Sequence, residues 1–336
     1  MRRRSRGGPR ARGAAVRLAA AAAAWCVLAQ AGWAQSWPQF TSWTQSPLRL
    51  NPASAANLYS LDASVAYRRQ WSNLEGAPET TQVTVGAPVY IANAGVSLGF
   101  ERDEAGLTRS NLLRASASYR LVERESFALS VGAGVGYRDA SLDGAALRTE
   151  TGRYADPNVP VHNDPLLAAS ERSGAALGFD LGVEVEFGDT RVGASVLDAN
   201  APVSDWAGVE RAWPRTVVAY ATGLYPVAEY IDLEAGLLAY SDLGATQAQA
   251  SVTGWYGGNI GLGASLRGFS NATLDAVSLL VGWRPSNTLT LAYSFDYGLS
   301  DLSRAHDGSH EVVLRYVMAT PIGKGKLPPV IFNPRL

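Results

Sequence analysis

From Ala175 to Phe187 the chain reads AALGFDLGVEVEF, and its side chains alternate without a break. Ala175, Leu177, Phe179, Leu181, Val183, Val185 and Phe187 point one way, while Ala176, Gly178, Asp180, Gly182, Glu184 and Glu186 point the other. The same period of two returns in FALSVGAGVGY from Phe127 and in LTLAYSFDY from Leu289. A strand produces that period, whereas a helix would scatter those apolar residues around its whole circumference. Past the N-terminal region, no apolar run approaches the roughly 18 residues that a membrane helix requires, so helical spans are excluded.

The second face decides which β architecture this is. In a soluble sandwich it would carry lysine, threonine and glutamate toward water. Here it is mostly glycine and other small residues with occasional charges, and the only lysines are Lys324 and Lys326. The apolar face carries aromatics toward the strand ends. This is the pattern of an all-β, transmembrane antiparallel β-barrel with lipid outside and a crowded polar lumen inside.

Strands are expected at 59–72, 79–89, 93–102, 109–121, 126–138, 173–187, 190–198, 214–225, 229–240, 246–256, 259–268, 275–284, 287–298 and 309–319. That is about fourteen, an even number, as single-chain bacterial outer-membrane barrels have. With both barrel ends in the periplasm, the connections sort by length. The outer set contains 139–172, 199–213 and 299–308. The periplasmic set contains GDT at 188–190, PVA at 226–228, GG at 257–258 and PS at 285–286. Short periplasmic turns and longer outer loops are the asymmetry such barrels show.

The ends read differently. Residues 1–34 carry arginines, then an apolar run, then the small residues Gly32 and Ala34, which is the plan of a signal peptide cleaved before Gln35. Cys26 follows the bulky Trp25, which rules out a lipidation site and leaves a mature chain without cysteine, hence without disulfides or thiolate chemistry. Removing the seven leader arginines from a formal net charge of −1 leaves −8, a balance unsuited to nucleic acid. Residues 35–57 hold three prolines and no alternation, as expected of a periplasmic or lumenal segment ahead of a barrel at 58–319. Residues 320–336 form a Pro-rich tail expected in the periplasm.

Three stretches carry a resemblance. PQFTSWTQSPLRLNPASAA contains Asn51, Pro52 and Ala53. AYRRQWSNLEGAPETTQ contains Tyr67, Arg68, Gln70, Trp71, Gly76, Pro78 and Thr80. YSFDYGLSDLSRAHDGSHEVVLRY contains Asp296, Ser300, Gly308, Ser309, His310 and Glu311. In order and spacing these resemble the PorP/SprF family, outer-membrane proteins of the type IX secretion system of Gram-negative bacteria. The resemblance spans the mature chain but is motif-strong only at its two ends. It implies an outer-membrane machine component that performs no catalysis, is tied to secretion and gliding motility, and needs no cofactor. It also implies partners: outer-membrane lipid, type IX components including a periplasmic peptidoglycan-binding lipoprotein, and secreted adhesin-type proteins with C-terminal sorting domains.

In a closed barrel the first and last strands pair. Alternation then turns Arg68, Gln70, Asp296 and Glu311 into the lumen, where they avoid the roughly 2–4 kcal/mol cost of a charge facing lipid. An Arg68–Glu311–Asp296 network is expected there. It would serve either as a seam lock fixing register or as a polar patch that receives a secreted partner. Asn51–Ala53 reads as a turn before the first strand or a plug docking site. Trp71, Tyr119, Tyr137, Trp283 and Tyr297 are expected in interfacial girdles.

No catalytic constellation emerges, since Ser309 and His310 are strand neighbours and point to opposite faces. Asp156, His162 and Asp164 in the 139–172 loop offer at most a weak calcium site. The rival reading is a passive transporter for hydrophobic or small solutes.

Overall fold

A computed structural model of the chain describes residues 37–150, 152–153, 161–162, 172–205, 210–268 and 274–319. The leader at 1–34, the tail at 320–336 with Lys324 and Lys326, and the loop acids Asp156 and Asp164 lie outside the described residues.

The strands in chain order are β1 (Asp62–Arg69), β2 (Glu79–Val89), β3 (Ala94–Ala105), β4 (Thr108–Arg124), β5 (Phe127–Leu142), β6 (Arg172–Phe187), β7 (Thr190–Leu197) and β8 (Val203–Asp205). They continue with β9 (Glu210–Ala212), β10 (Thr216–Ala228), β11 (Ile231–Ser241), β12 (Thr246–Tyr256), β13 (Ile260–Arg267), β14 (Ala276–Ser286), β15 (Leu289–Gly298) and β16 (Ser309–Val317). Fourteen of them close one antiparallel barrel, while β8 and β9 pair only with each other. Closure is made by β1 and β16, paired from Asp62↔Val317 to Arg69↔His310. No helix among the described residues is long and apolar enough to cross a membrane.

One rim carries only short connections, at 90–93, 125–126, 188–189, 229–230, 257–259 and 287–288, and the other carries every long connection together with the short turns at 106–107 and 242–245. Gly257 and Gly258 take φ of +57° and +74°, the left-handed pair that a tight hairpin turn requires.

Two turns sit further along the chain than their prolines suggest. Pro226 and Pro285 are inside β10 and β14, at register shifts where a missing N–H is tolerated, so the reversals fall at 229–230 and 287–288. At the long-loop rim β1 stops at Arg69 rather than 72, because Trp71 and Asn73 adopt positive φ. The 199–213 connection, expected as a plain loop, contains the β8–β9 hairpin.

Alternate residues face hydrocarbon. Val65, Leu98, Leu113, Phe179, Leu262, Leu279 and Leu314 are all exposed on the outer wall. Tyr119 and Trp283 flank that band toward the short-turn rim, and Tyr137 and Tyr297 flank it toward the long-loop rim. Trp71 departs from the expected girdle. It is half-buried in the first long connection, its ring centroid 6.2 Å from that of His306.

An arginine replacing Leu279 on the hydrocarbon face is expected to destabilise the barrel by about 2–4 kcal/mol. The same change at Leu243, in a long-rim connection, should stay within about 0.5 kcal/mol. Urea unfolding from lipid vesicles measures both, and equal effects would contradict the assignment of that face to lipid.

Candidate functional site

The lumen is filled by the chain itself. Residues 37–57, left open between periplasm and lumen by the sequence, form short helical turns at Trp43–Gln45, Pro47–Leu50 and Pro52–Asn57 inside the barrel. Their apolar side chains have an inner wall to meet. Trp37, Trp43 and Leu50 pack against Leu197, Val218, Tyr220, Leu238 and Tyr240 on β7, β10 and β11. Phe40 packs on Ala66 and Val313 at the seam.

The polar groups of this plug are held by carboxylates projecting from the wall. At the seam, the backbone N–H groups of Thr41 and Ser42 donate to the two oxygens of Glu311, each at 2.7 Å. The Thr41 hydroxyl donates to Asp296 at 2.7 Å. Arg68 spans both acids, 2.6 Å from Asp296 and 3.2 Å from Glu311. Arg267 reaches Asp296 at 3.2 Å and Thr41 Oγ1 at 2.7 Å. All four charged side chains are about as buried as a protein interior allows. They tolerate burial because each charge faces an opposite charge or a hydrogen-bond partner.

Three further wall acids repeat the arrangement. Glu184 accepts from Ser54 (2.7 Å) and Asn57 (2.6 Å) and is bonded to the Tyr220 hydroxyl. Glu101 pairs with Arg49 at 2.8 Å, whose guanidinium lies over the rings of Trp37 (3.8 Å) and Phe40 (4.7 Å). Glu234 accepts from Gln45 at 3.1 Å and from the Trp255 indole at 3.0 Å. The plug is therefore tied to β3, β6, β11, β15 and β16, that is, around the barrel.

Glycine makes room for it. A Cβ at Gly182 would lie 2.0 Å from Asn51 Oδ1, one at Gly95 would lie 2.1 Å from the Ala55 carbonyl, and one at Gly132 would lie 2.4 Å from Ala53 N. Asn51 caps its helical turn by accepting from Ala53 N (2.9 Å) and donates to the Val183 carbonyl (2.8 Å). Asn51–Pro52–Ala53 is thus docked plug, not the turn into the first strand.

The other residues singled out in the sequence are distributed as follows. Gln70 lies beside the Arg68–Asp296 pair, lining a small cavity with Trp71, His306 and Ser309. Thr80 is lumenal and donates to Asp103 at 2.6 Å. Pro78 supplies the carbonyl that accepts from Gln70 N at 2.8 Å. Gly308, at φ +94°, lets the chain re-enter β16. Its carbonyl accepts from Ser72 N at 2.7 Å. Tyr67 and His310 face outward, His310 with its Nδ1 2.8 Å from the Tyr293 hydroxyl. Ser309 faces inward and is buried.

Sequence reasoning missed Thr41, Arg49, Arg267, Glu101 and Glu234. The signal within reach was the inner face itself, since glycine on three strands marks a wall that another chain segment approaches closely. One cavity between plug and wall, and one between the seam and the long-loop connections, have room for about one or two waters each. No cluster of three or more histidines, cysteines or acids suited to a metal ion occurs among the described residues.

Comparison with known proteins gives one family. The family described as type IX secretion system membrane protein PorP/SprF matches residues 33–316. No curated protein matches the chain. Among solved structures, the CymD monoaromatic hydrocarbon channel is similar with a TM-score of 0.48 and 13% identity, over 81% of this chain and 91% of that one. A Pseudomonas aeruginosa FadL homologue is similar at 0.44 and 12%, over 80% and 92%. The Ralstonia pickettii toluene transporter TbuX is similar at 0.45 and 11%, over 79% and 91%.

Replacing Glu311 with alanine strips two buried plug amides of their acceptor and leaves Arg68 with Asp296 as its only carboxylate, and is expected to cost about 3–5 kcal/mol in urea unfolding. Replacing Gly182 with leucine leaves the barrel closed but displaces Asn51. Limited proteolysis should then cut within 37–57 at rates the parent protein resists, while heat-modifiable migration of the barrel is retained.

Proposed function

The chain belongs to the PorP/SprF family of type IX secretion system membrane proteins, and on that premise we propose that it is an outer-membrane accessory barrel rather than a conduit. Its work is to support the secretion or surface retention of adhesin-type proteins bearing C-terminal sorting domains. Its short-turn rim faces the periplasmic apparatus, including a peptidoglycan-binding lipoprotein, and its long-loop rim faces the exported protein. The role is non-catalytic. In support, Ser309 and His310 are divided between lumen and lipid, so they form no hydroxyl–imidazole pair.

The observation that carries this reading is the filled lumen. A passive transporter needs a path, yet residues 37–57 occupy the interior and are tied to the wall by carboxylates on five strands. Moving a solute through would require breaking buried charge pairs, each costly to leave half-made.

Deletion of the gene, followed by comparison of the cell surface and culture medium with the parent strain, tests the proposal. The expected result is loss of a subset of large surface proteins with intact uptake of small hydrophobic solutes. Unchanged surface proteins with impaired uptake would favour a transporter instead.

A further inference from the structure

Charge on the outer wall is confined to one side of the barrel. On β6, β7 and β10–β15 the outward positions carry no charged side chain, as Leu177, Val217, Leu237, Leu266, Val277 and Tyr297 illustrate. Charged residues on those strands, such as Glu184, Glu234 and Arg267, point to the lumen instead.

On β1–β5 the outward residues change along the registers, row by row. Val65, Val83, Phe100, Leu113 and Tyr137 are paired neighbours in one row, apolar or aromatic and all exposed on the outer wall. Two residues further toward the long-loop rim the row is Tyr67, Thr81, Arg102, Asn111 and Asp139. Two residues further still it is Arg69, Glu79, Glu104, Arg109 and Ser141, with His310 of β16 paired to Arg69. These side chains point sideways from the wall rather than up from the rim. They stand directly above residues that meet acyl chains, so the molecule beside them is a lipid and the part at their height is its headgroup.

The band has donors to spare. Arg102 and Arg109 share one oxygen of Glu104, Arg109 at 3.0 Å. Among the described residues, Nη1 of Arg102 and both Nη atoms of Arg109 make no hydrogen bond. Arg69 lies 3.4 Å from Glu79, which also accepts from the Tyr67 hydroxyl at 3.1 Å. At the far end Asp139 accepts from Asn111 at 3.2 Å. The side chains of Arg69, Arg102 and Arg109 are 50%, 45% and 51% exposed, so a ligand in the membrane plane can reach them.

We propose that this band on β16 and β1–β5 is a binding surface for the phosphorylated saccharide headgroup of lipopolysaccharide in the outer leaflet. Only the outward facing of the long-loop rim is taken from the reading above. Guanidinium forks match phosphate oxygens two at a time. Glu79, Thr81, Asn111, Asp139 and Ser141 supply the acceptors and donors that sugar hydroxyls need, and the Val65–Leu113 row meets the acyl chains. Width selects the occupant. Six neighbouring strands about 4.8 Å apart span about 24 Å, which a headgroup of several sugars covers and a phospholipid's single phosphate does not.

The test uses the full chain extracted from outer membranes in mild detergent. Native mass spectrometry identifies the lipid it retains, and the delipidated protein is titrated in parallel with purified lipopolysaccharide, phosphatidylglycerol and inorganic phosphate. The expected result is retained lipopolysaccharide, bound about tenfold more weakly by the double variant Arg102→Gln, Arg109→Gln. The control Arg148→Gln, Arg153→Gln removes the same charge from exposed positions in the long connection after β5 and should bind like the parent. Lipopolysaccharide stripped of its phosphates should bind the parent as weakly as the intact lipid binds the double variant. Heat-modifiable migration checks that the double variant is folded, and Arg69→Gln is the second variant if it is not. No retained lipopolysaccharide, equal affinity for phosphatidylglycerol or phosphate, or a folded band variant that binds like the parent overturns the site, as does an equal loss in the control. Secretion does not enter these measurements. If they fail while gene deletion still strips proteins from the cell surface, the band is wrong and the secretion reading stands.

Discussion

In hydrocarbon there is no water to take a hydrogen bond, so every backbone N–H and C=O must find its partner within the protein. Closure of β1 on β16 answers that demand, and the rest of the architecture follows from it. Once fourteen strands close, the enclosed space is wider than the wall's own side chains fill. Residues 37–57 fill it, and their backbone brings a second set of polar groups that must also be satisfied. The wall meets them with glycines where the plug comes closest and with carboxylates where it offers N–H groups.

Buried ion pairs are weak arguments for stability, because desolvation offsets most of the attraction. Their contribution here is specificity. Arg68 and Glu311 are direct cross-strand partners at the closing seam. Slipping that pairing by one residue would drive one of the two into lipid and bring an outward neighbour such as Tyr67 or Val312 inside. The same Glu311 holds Thr41 and Ser42. Register at the seam and seating of the plug are thereby fixed by one set of atoms. The lumenal patch at the seam, which the sequence left open between a lock and a receiving surface, is occupied by the chain's own plug.

How much of this was legible depends on whether the signal was local. The strands were, since a two-residue period needs no distant partner, and even the seam pairing followed from closure and parity. The plug was not. Residues 37–57 carry no periodicity because they answer to the inner wall rather than to a repeating surface, and Arg49 gives no hint of Glu101, 52 positions away. On β10 and β11 the inward Val218, Tyr220, Leu238 and Tyr240 are apolar, against the polar-lumen expectation. Both faces of those strands then read as greasy, and only the presence of Trp37 and Trp43 inside explains it. The pauses at Pro226 and Pro285 misplaced two turns for the opposite reason, since a local signal for reversal was overruled by bulged pairing with the neighbouring strand.

With residues 37–57 inside it, the barrel carries a continuous segment of chain between its two rims. The plug is latched at Thr41 near the long-loop ends of β1, β13, β15 and β16, and at Asn57 against β5 and β6 toward the short-turn side. From there it runs through Leu58–Leu61 directly into β1, where Met318 N donates to the Leu61 carbonyl beside the last strand. A pull on the chain at the short-turn rim would thus meet Glu184 and Asn57 first and the Glu311 latch last. Each latch is a buried pair with two discrete conditions, made or broken, which is the kind of element through which coupling between sites is carried. Such a column is what the proposed accessory role, with partners at both rims, would use.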